Sequence, residues 1–325
     1  MRKILSDVDI CVRAGRTFAL LGESGSGKTC IVHSVLGVHQ GLPGVVSGEA
    51  TVLGREILTE LPQYVKITHT PQLSIKKDIL GWKKAQKRAW GEMLGKDVTL
   101  IPQDASTSLS PFHPIGQMLI TSIRRGNPEL SKEEAQKEAL KWLSRVEMYD
   151  VEKVAHCYIH ELSGGMAQRA AIALALAPGP RLLIADEPTT GLDATLRISI
   201  IALLSAMVKE KGATLLLVTH DLAAARILAT DVAVLYEGKV VETGYVDEVL
   251  SWDHRPKHPY TAFLLESEKK LIEGASPRLA AKEPAPQVGC PYSPRCEKAT
   301  SRCLLECPGL TDVAEGHQIA CFGGG

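Results

Sequence analysis

The chain has 325 residues, 45% hydrophobic and 23% charged, and its 37 basic side chains match 37 acidic ones for a formal net charge of zero. That length carries one sizeable domain with an appendage or two modest domains, and the charge balance leaves no global field to draw it to nucleic acid or anionic lipid. No apolar run approaches the roughly 20 residues that span a bilayer, and Asp7 and Asp9 interrupt the start where a secretory signal needs an apolar stretch. The expectation is a cytosolic protein that serves a membrane only by docking on other subunits.

Residues 18–21 (Phe-Ala-Leu-Leu) read as a short buried strand closed by Gly22. Gly22-Glu23-Ser24-Gly25-Ser26-Gly27-Lys28-Thr29 then forms a complete GxxxxGK(S/T) loop, and Ile31, Val32, Val35 and Leu36 follow at helical spacing up to Gly37. Strand, glycine loop and helix are the context a phosphate loop requires. Backbone amides and the helix N-terminus would face the β- and γ-phosphates of a nucleotide, Lys28 would reach the β/γ oxygens, and the Thr29 hydroxyl would ligate Mg²⁺.

The segment 54–103 carries Lys76, Lys77, Lys83, Lys84, Lys87 and Arg88 around Trp82 and Trp90. It reads either as a solvated surface insertion or as an added helix near lipid headgroups or membrane subunits, the former being preferred. Residues 98–101 form a strand that leads to Gln103. Further on, Ser131 and Glu134 make a capping box, and Ala135, Ala139, Trp142, Leu143 and Val146 mark one apolar helix face, read as core. Ser163, Gly164 and Gly165 would cap a helix over 166–177 whose N-terminus points at phosphate.

Residues 182–185 form a second buried strand with Asp186 at its C-terminal edge, where open α/β sheets bind ligands. Asp186 would hold Mg²⁺ through water, and Glu187 is the candidate base for the attacking water. Residues 214–218 make a third strand, with His220 just beyond it. Residues 273–287 read as a Gly-, Pro- and charge-rich linker. Of the eight cysteines, Cys11, Cys30 and Cys157 are scattered, while Cys290, Cys296, Cys303, Cys307 and Cys321 crowd the last 36 residues. In a reducing compartment such crowding points to a metal or cluster more than to disulfides, and its spacing suits iron–sulfur and zinc alike.

Leu162-Ser163-Gly164-Gly165-Met166-Ala167-Gln168-Arg169, placed between the phosphate loop and the run ending Asp186-Glu187, resembles the signature of the ATP-binding cassette (ABC) family. Residues 103–111 resemble the QDPxTSLNP segment of its oligopeptide/dipeptide/nickel importer ATPases. His258-Pro259-Tyr260-Thr261 and residues 289–296 (Gly-Cys-Pro-Tyr-Ser-Pro-Arg-Cys) match two further stretches of that branch, and the link 36–48 looks like its D-type subunit.

The resemblance implies an α/β, P-loop (RecA-like) nucleotide-binding domain over 1–250, with a β-rich edge and a helical subdomain inserted at about 104–180. A cysteine-rich extension over 251–325 would follow. It makes Gln103 the Q-loop residue that senses Mg²⁺ and the transporter, Asp193 a D-loop contact and His220 the switch histidine on γ-phosphate and water. Ser163, Gly164, Gly165 and Gln168 would serve ATP held by a partner cassette, so one chain cannot complete a site. Cys290, Cys296, Cys303 and Cys321 would hold a 4Fe-4S cluster, with Cys307 an extra thiol or an alternative ligand and zinc the competing metal.

The implied partners are a second ABC ATPase subunit (F-type) or a second copy of the chain, two membrane permeases and, indirectly, an extracytoplasmic solute-binding protein. The expected place is the cytoplasmic face of the inner membrane, the cargo peptide or nickel complexes, with no nucleic-acid partner. Two other readings remain, a soluble ABC ATPase acting on DNA or the ribosome and a regulatory nucleotide-binding module without turnover. One departure stands out: the aromatic residue with which the family stacks adenine, upstream of the phosphate-loop lysine, has no counterpart here. Either the first strand is truncated or adenine is held by apolar contacts and a different residue.

Overall fold

The computed structural model describes residues 3–38, 44–68, 74–252, 257–275, 286 and 288–323. The chain first forms β1 (Thr17–Leu21) and α1 (Lys28–Leu36). Two small hairpins follow, β2 (Thr51–Val52) with β3 (Arg55–Glu56) and β4 (Val65–Thr68) with β5 (Ser74–Lys77), and then α2 (Ile79–Trp90) and β6 (Val98–Ile101). Next comes a helical stretch of α3 (Ala105–Ser108), α4 (Ile115–Gly126), α5 (Lys132–Arg145), α6 (Val151–His156) and α7 (Gly164–Leu176). The chain then returns to the sheet with β7 (Leu182–Asp186), α8 (Ala194–Lys211), β8 (Thr214–Thr219), α9 (Leu222–Leu228), β9 (Asp231–Tyr236) and β10 (Lys239–Tyr245). Short α10 (Val246–Val249), α11 (Pro259–Ile272), α12 (Ser301–Leu305), β11 (Thr311–Ala314) and β12 (His317–Ile319) close it.

One eight-stranded sheet runs in the order β11-β12-β10-β9-β1-β8-β7-β6. Its β9-β1-β8-β7-β6 half is parallel, while β10, β12 and β11 add antiparallel at one edge. Successive strand residues point to opposite faces, so near-continuous apolar runs supply two layers at once. Phe18, Leu20, Ile184, Leu216 and Val218 enter one layer with Ile31 and Val32 of α1. Leu183, Ala185, Leu215 and Leu217 enter the other, beneath the helices.

The helical layer follows its sequence pattern. Ala135, Ala139, Trp142, Leu143 and Val146 are all buried. Ser131 accepts the Glu134 amide at 3.2 Å while Glu134 accepts the Ser131 amide at 2.9 Å, so two of the free amides at the start of α5 are satisfied. The helix after the signature begins at Gly164, two residues before its expected start, because Ser163 is its N-cap and accepts the Met166 amide.

The basic segment is only partly the solvated insertion preferred for it. Trp82 and Trp90 are 3% and 2% exposed and belong to the apolar layer shared with α1 and β1. Lys83, Lys84, Lys87 and Arg88 stay on the outer face of α2. Helical spacing thus divides α2 between core and solvent, so the segment is not a wholly solvated insertion. Among the described residues before β1 there is no strand, but Leu5, Val8, Ile10 and Val12 pack on the same layer. Of the expected linker, 276–285 and 287 lie outside the described residues, and α11 accounts for its approach as far as Ile272.

The tail joins the main sheet. β12 pairs with β10, matching Glu242 to Ile319. Glu242 is fully buried but not alone: it accepts from His317 Nε2 at 2.8 Å and from the His258 amide at 2.9 Å. His258 caps α11 through Nδ1, which accepts the Tyr260 amide at 3.1 Å; burial pushes its pKa down to about 4, so the imidazole is neutral. Cys290, Tyr260 and Tyr292 pack with Ala19, Leu21, Val232 and Val234 of the sheet.

Candidate active site

β1, β7 and β8 end side by side, and their C-terminal edge gathers the charged residues. Gly22 turns the chain with φ 156°, and a Cβ there would collide with the Leu235 carbonyl, so only glycine lets the loop lie this close to β9. Ser24 and Gly25 form the loop crest, and the Ser26 amide donates to the Glu23 carbonyl at 3.1 Å. Gly27, in a left-handed conformation, starts α1 at Lys28.

Lys28 is 4% exposed, and its Nζ donates to the Gly22 carbonyl at 2.8 Å and the Glu23 carbonyl at 3.0 Å. It also lies 3.5 Å from Glu187 Oε1. Burial lowers its pKa, while Glu187 and Asp186 pull the other way. Thr29 Oγ1 donates to Asp186 Oδ1 at 3.3 Å, and burial raises the pKa of that aspartate.

Glu187 follows the last residue of β7 with φ 47°, a left-handed turn that costs a non-glycine residue about 1–3 kcal/mol and persists only where its surroundings enforce it. Here its amide donates to the Val218 carbonyl of β8 at 2.8 Å. Its Oε2 accepts from His220 Nδ1 at 2.8 Å and from the Thr190 hydroxyl at 2.7 Å. The histidine bond above all holds the carboxyl pKa at about 2, and the same bond raises that of His220.

A cleft of about 710 Å³ opens beside this edge, lined by Thr29, Gln103, Gly164, Gln168, Asp186 and Thr190 among others. It brings Gln103 together with Thr29 and Asp186, the three groups expected around one cation. Ser163 and Gly164 are exposed at the N-terminus of α7, but Gly165 is buried against Leu196 and Gln168 is buried on the cleft side. The signature therefore runs from solvent at Ser163, through Gly164 on the rim of the cleft, to the interior at Gly165 and Gln168. Asp193 is exposed and caps α8 by accepting the Leu196 amide at 2.9 Å.

At the far edge Cys290, Cys296, Cys303 and Cys321 line one cavity of about 240 Å³, which Cys307 does not line. Burial pushes the Cys290 thiol up to about 11 and raises that of Cys296, whereas a hydrogen bond from Thr300 lowers that of Cys303. Among the described residues, no group of three His, Cys, Asp or Glu stands in an arrangement for a single metal ion. Sequence reasoning missed Thr190, three residues beyond Glu187, and the reach of Tyr260 and Arg295 to Glu23. The last two lie in noted motifs, but nothing local to them names a contact more than 230 residues away.

The ABC transporter family matches residues 5–190, and the family described as oligopeptide/dipeptide transporter, C-terminal region, matches 241–303. The oligopeptide transport ATP-binding protein OppD of Escherichia coli is 33% identical over 98% of this chain and 87% of its own length. A putative peptide import ATP-binding protein of Brucella ovis is 36% identical over 98% of this chain and 90% of its own. The oligopeptide transport ATP-binding protein AppD of Bacillus subtilis is 35% identical over 97% and 89%. Among solved structures, a dimeric ATP-binding cassette bound to ADP and Pi superposes with a TM-score of 0.57, covering 75% of this chain and 90% of that one at 24% identity. CbiO1 of Clostridium perfringens gives 0.56 at 24% identity over 83% and 90%. With relatives aligned along nearly its whole length and a cassette fold beneath its charged edge, the chain belongs to the ABC transporter family of ATP-hydrolysing cassettes, and to its oligopeptide/dipeptide branch.

Proposed function

We propose that this ATPase is the D-type cassette of an importer that takes up peptides, docked on two membrane permeases at the cytoplasmic face of the inner membrane. A solute-binding protein on the other side would deliver the cargo. The observation that carries the catalytic reading is the Glu187 carboxylate, fixed on Oε2 by His220 and Thr190 and left with Oε1 toward the phosphate loop. Relatives named for peptide import favour peptides over nickel complexes and leave action on DNA or the ribosome unsupported. No helix among the described residues is long and apolar enough to cross a membrane, so permeases would supply the membrane path.

In this reading Gly22, Glu23, Ser24, Gly25, Ser26, Gly27 and Lys28 cradle the ATP phosphates. Ser26 Oγ and Gln168 Nε2 are buried with no hydrogen-bond partner among the described residues, donors of the kind a bound ligand satisfies. Lys28 exchanges its two carbonyl partners for phosphate oxygens. Glu187, ionised throughout the working pH range, accepts a hydrogen bond from the attacking water and aligns it, while His220 keeps the carboxylate from turning. Thr29, Asp186 and Gln103 share the cleft in which Mg²⁺ would neutralise phosphate charge.

Ser163 and Gly164, exposed at a helix N-terminus, serve a second cassette, either an F-type partner or another copy, with Asp193 at the same seam. The four cysteines that line one cavity, though not drawn together as ligands of a single metal ion, are the thiols that would hold a 4Fe-4S cluster, with zinc the competing metal. Purification from native membranes tests the assignment: two permeases and a second cassette should come with the chain, and ribosomes or DNA in their place would overturn it. Mixing Ser163→Arg protein with wild type should poison one composite site, and full turnover by a demonstrated monomer would refute the two-cassette site.

A further inference from the structure

Glu23, the second residue of the phosphate loop, is gripped from outside the cassette core. Arg295 places both terminal nitrogens on its carboxylate, Nη1 on Oε2 and Nη2 on Oε1, each at 3.2 Å. The Tyr260 hydroxyl accepts its amide at 2.9 Å. The third group, its carbonyl, is the one that takes Lys28 at 3.0 Å and the Ser26 amide at 3.1 Å. Side chain and amide thus belong to the C-terminal extension, and the carbonyl belongs to the loop.

The gripping residues are held rigidly. Tyr260 is fully buried and packs its ring against Tyr236 of β9, centroids 4.6 Å apart, and against Tyr292 at 5.5 Å. Arg295 has 5% of its side chain exposed and lies over the rings of Phe263, Tyr292 and Tyr236 at 5.1, 5.6 and 5.8 Å. It occupies a 3₁₀ turn, Ser293–Arg295, set between Cys290 and Cys296. An apolar side chain could fill such an aromatic niche without burying a charge. The chain instead keeps a guanidinium whose two terminal nitrogens form a planar fork on a loop carboxylate, a geometry that fixes direction as well as distance.

We propose that Arg295 and Tyr260 are positioning residues for ATP binding: the extension clamps Glu23 and presets the phosphate loop. The proposal rests on the reading of residues 22–29 as that loop. Glycines make the loop able to wrap phosphate, and they also make it costly to order when ligand arrives. Holding one residue in advance by side chain and amide removes part of that cost, which corresponds to about tenfold in affinity.

The test is calorimetric titration of the purified full chain with Mg-ATP, with a thermal melt of each variant alongside. Arg295→Ala should weaken ATP binding about tenfold, Arg295→Lys should recover part of the loss, and Tyr260→Phe, which removes only the hydroxyl, should cost about threefold. Glu23→Gln should also weaken binding, and the double variant Glu23→Gln/Arg295→Ala should be no worse than Arg295→Ala alone, because both act through one contact. A lowered melting temperature with unchanged ATP affinity would make Arg295 merely structural and overturn the proposal, as would additive losses in the double variant. Should Arg295→Ala not fold, wild-type affinity in both Tyr260→Phe and Glu23→Gln overturns it equally. Lys28→Ala separates the two layers of the argument. If it leaves ATP binding intact, the loop reading fails and the clamp with it; if it abolishes binding while Arg295→Ala binds as wild type, only the clamp fails.

Discussion

The nucleotide site and the cysteine-rich tail are built in opposite ways. At the phosphate end, Asp186, Glu187 and His220 sit at or just beyond the tips of parallel strands in register, and Lys28 opens the helix that follows the loop after β1. Glu187 is held by three separate contacts, and even its strained turn is pinned to the neighbouring strand. At the cysteine end, Cys290, Cys296, Cys303 and Cys321 come from turns, a five-residue helix and the last described residues, and they meet around a cavity rather than in strand register. A sheet can present charged groups without help from a ligand. Short loops with a few buried apolar side chains gain most from a bound group that cross-links them.

The largest effect expected at the phosphate end is on turnover. Glu187→Gln should retain ATP binding and lower hydrolysis by at least about 10²-fold, because the amide still fits between Thr190 and His220 but no longer draws a water proton. Single-turnover measurements of ATP hydrolysis check this, and wild-type turnover would remove Glu187 from its role. Next is the core beneath the loop. Trp90→Ala should cost about 3–5 kcal/mol in urea unfolding, since Trp90 fills the layer that also seats α1. A loss below about 1 kcal/mol would return α2 to the status of a surface insertion.

The cysteine end should answer to metal instead. Protein made and kept without oxygen should show visible absorption and an iron and sulfide content that Cys290→Ser removes, together with a tail made newly sensitive to protease. A colourless protein with one zinc per chain would replace the cluster by zinc, and a metal-free, protease-sensitive tail would refute both. Cys307→Ser should leave the metal content unchanged, because Cys307 is exposed and does not line the cavity.

The smallest effect sought is electrostatic. His220 has a raised pKa, so its bond to Glu187 contributes fully below the unfolded value of about 6.5 and fades as pH rises through the higher folded one. Glu187 has a lowered pKa, so its share is present above an unfolded value of about 4.3 and is lost as pH falls toward about 2. The stability gap between wild type and His220→Gln should therefore be widest between about pH 4.5 and 6.5 and narrow above it. With more than half of the His220 side chain exposed, solvent limits that gap to under about 1 kcal/mol. Unfolding titrations across pH would show it, and a gap that widens above pH 7 would contradict the sign.

Much of the phosphate end was legible in the sequence because its constraints are local and periodic. An apolar run closed by Gly22, a second ending at Asp186 and a third followed by His220 each announce a buried strand with a polar residue at its tip. The Ser131–Glu134 box and the α5 core face were legible for the same reason. The basic segment was not, since lysines at every turn mask the helical spacing that sends Trp82 and Trp90 inward.

What the sequence by itself determined was the cassette fold, the candidate nucleotide residues and the family, since strand, loop and cap patterns lie within short windows. Only the tertiary structure decided which side of α7 each signature residue takes, that the tail completes the sheet through Glu242 and His317, and that Arg295 and Tyr260 close on Glu23. Those contacts join residues 75, 272 and 237 positions apart. At such separations chain spacing carries no geometric information, and packing alone chooses the partner.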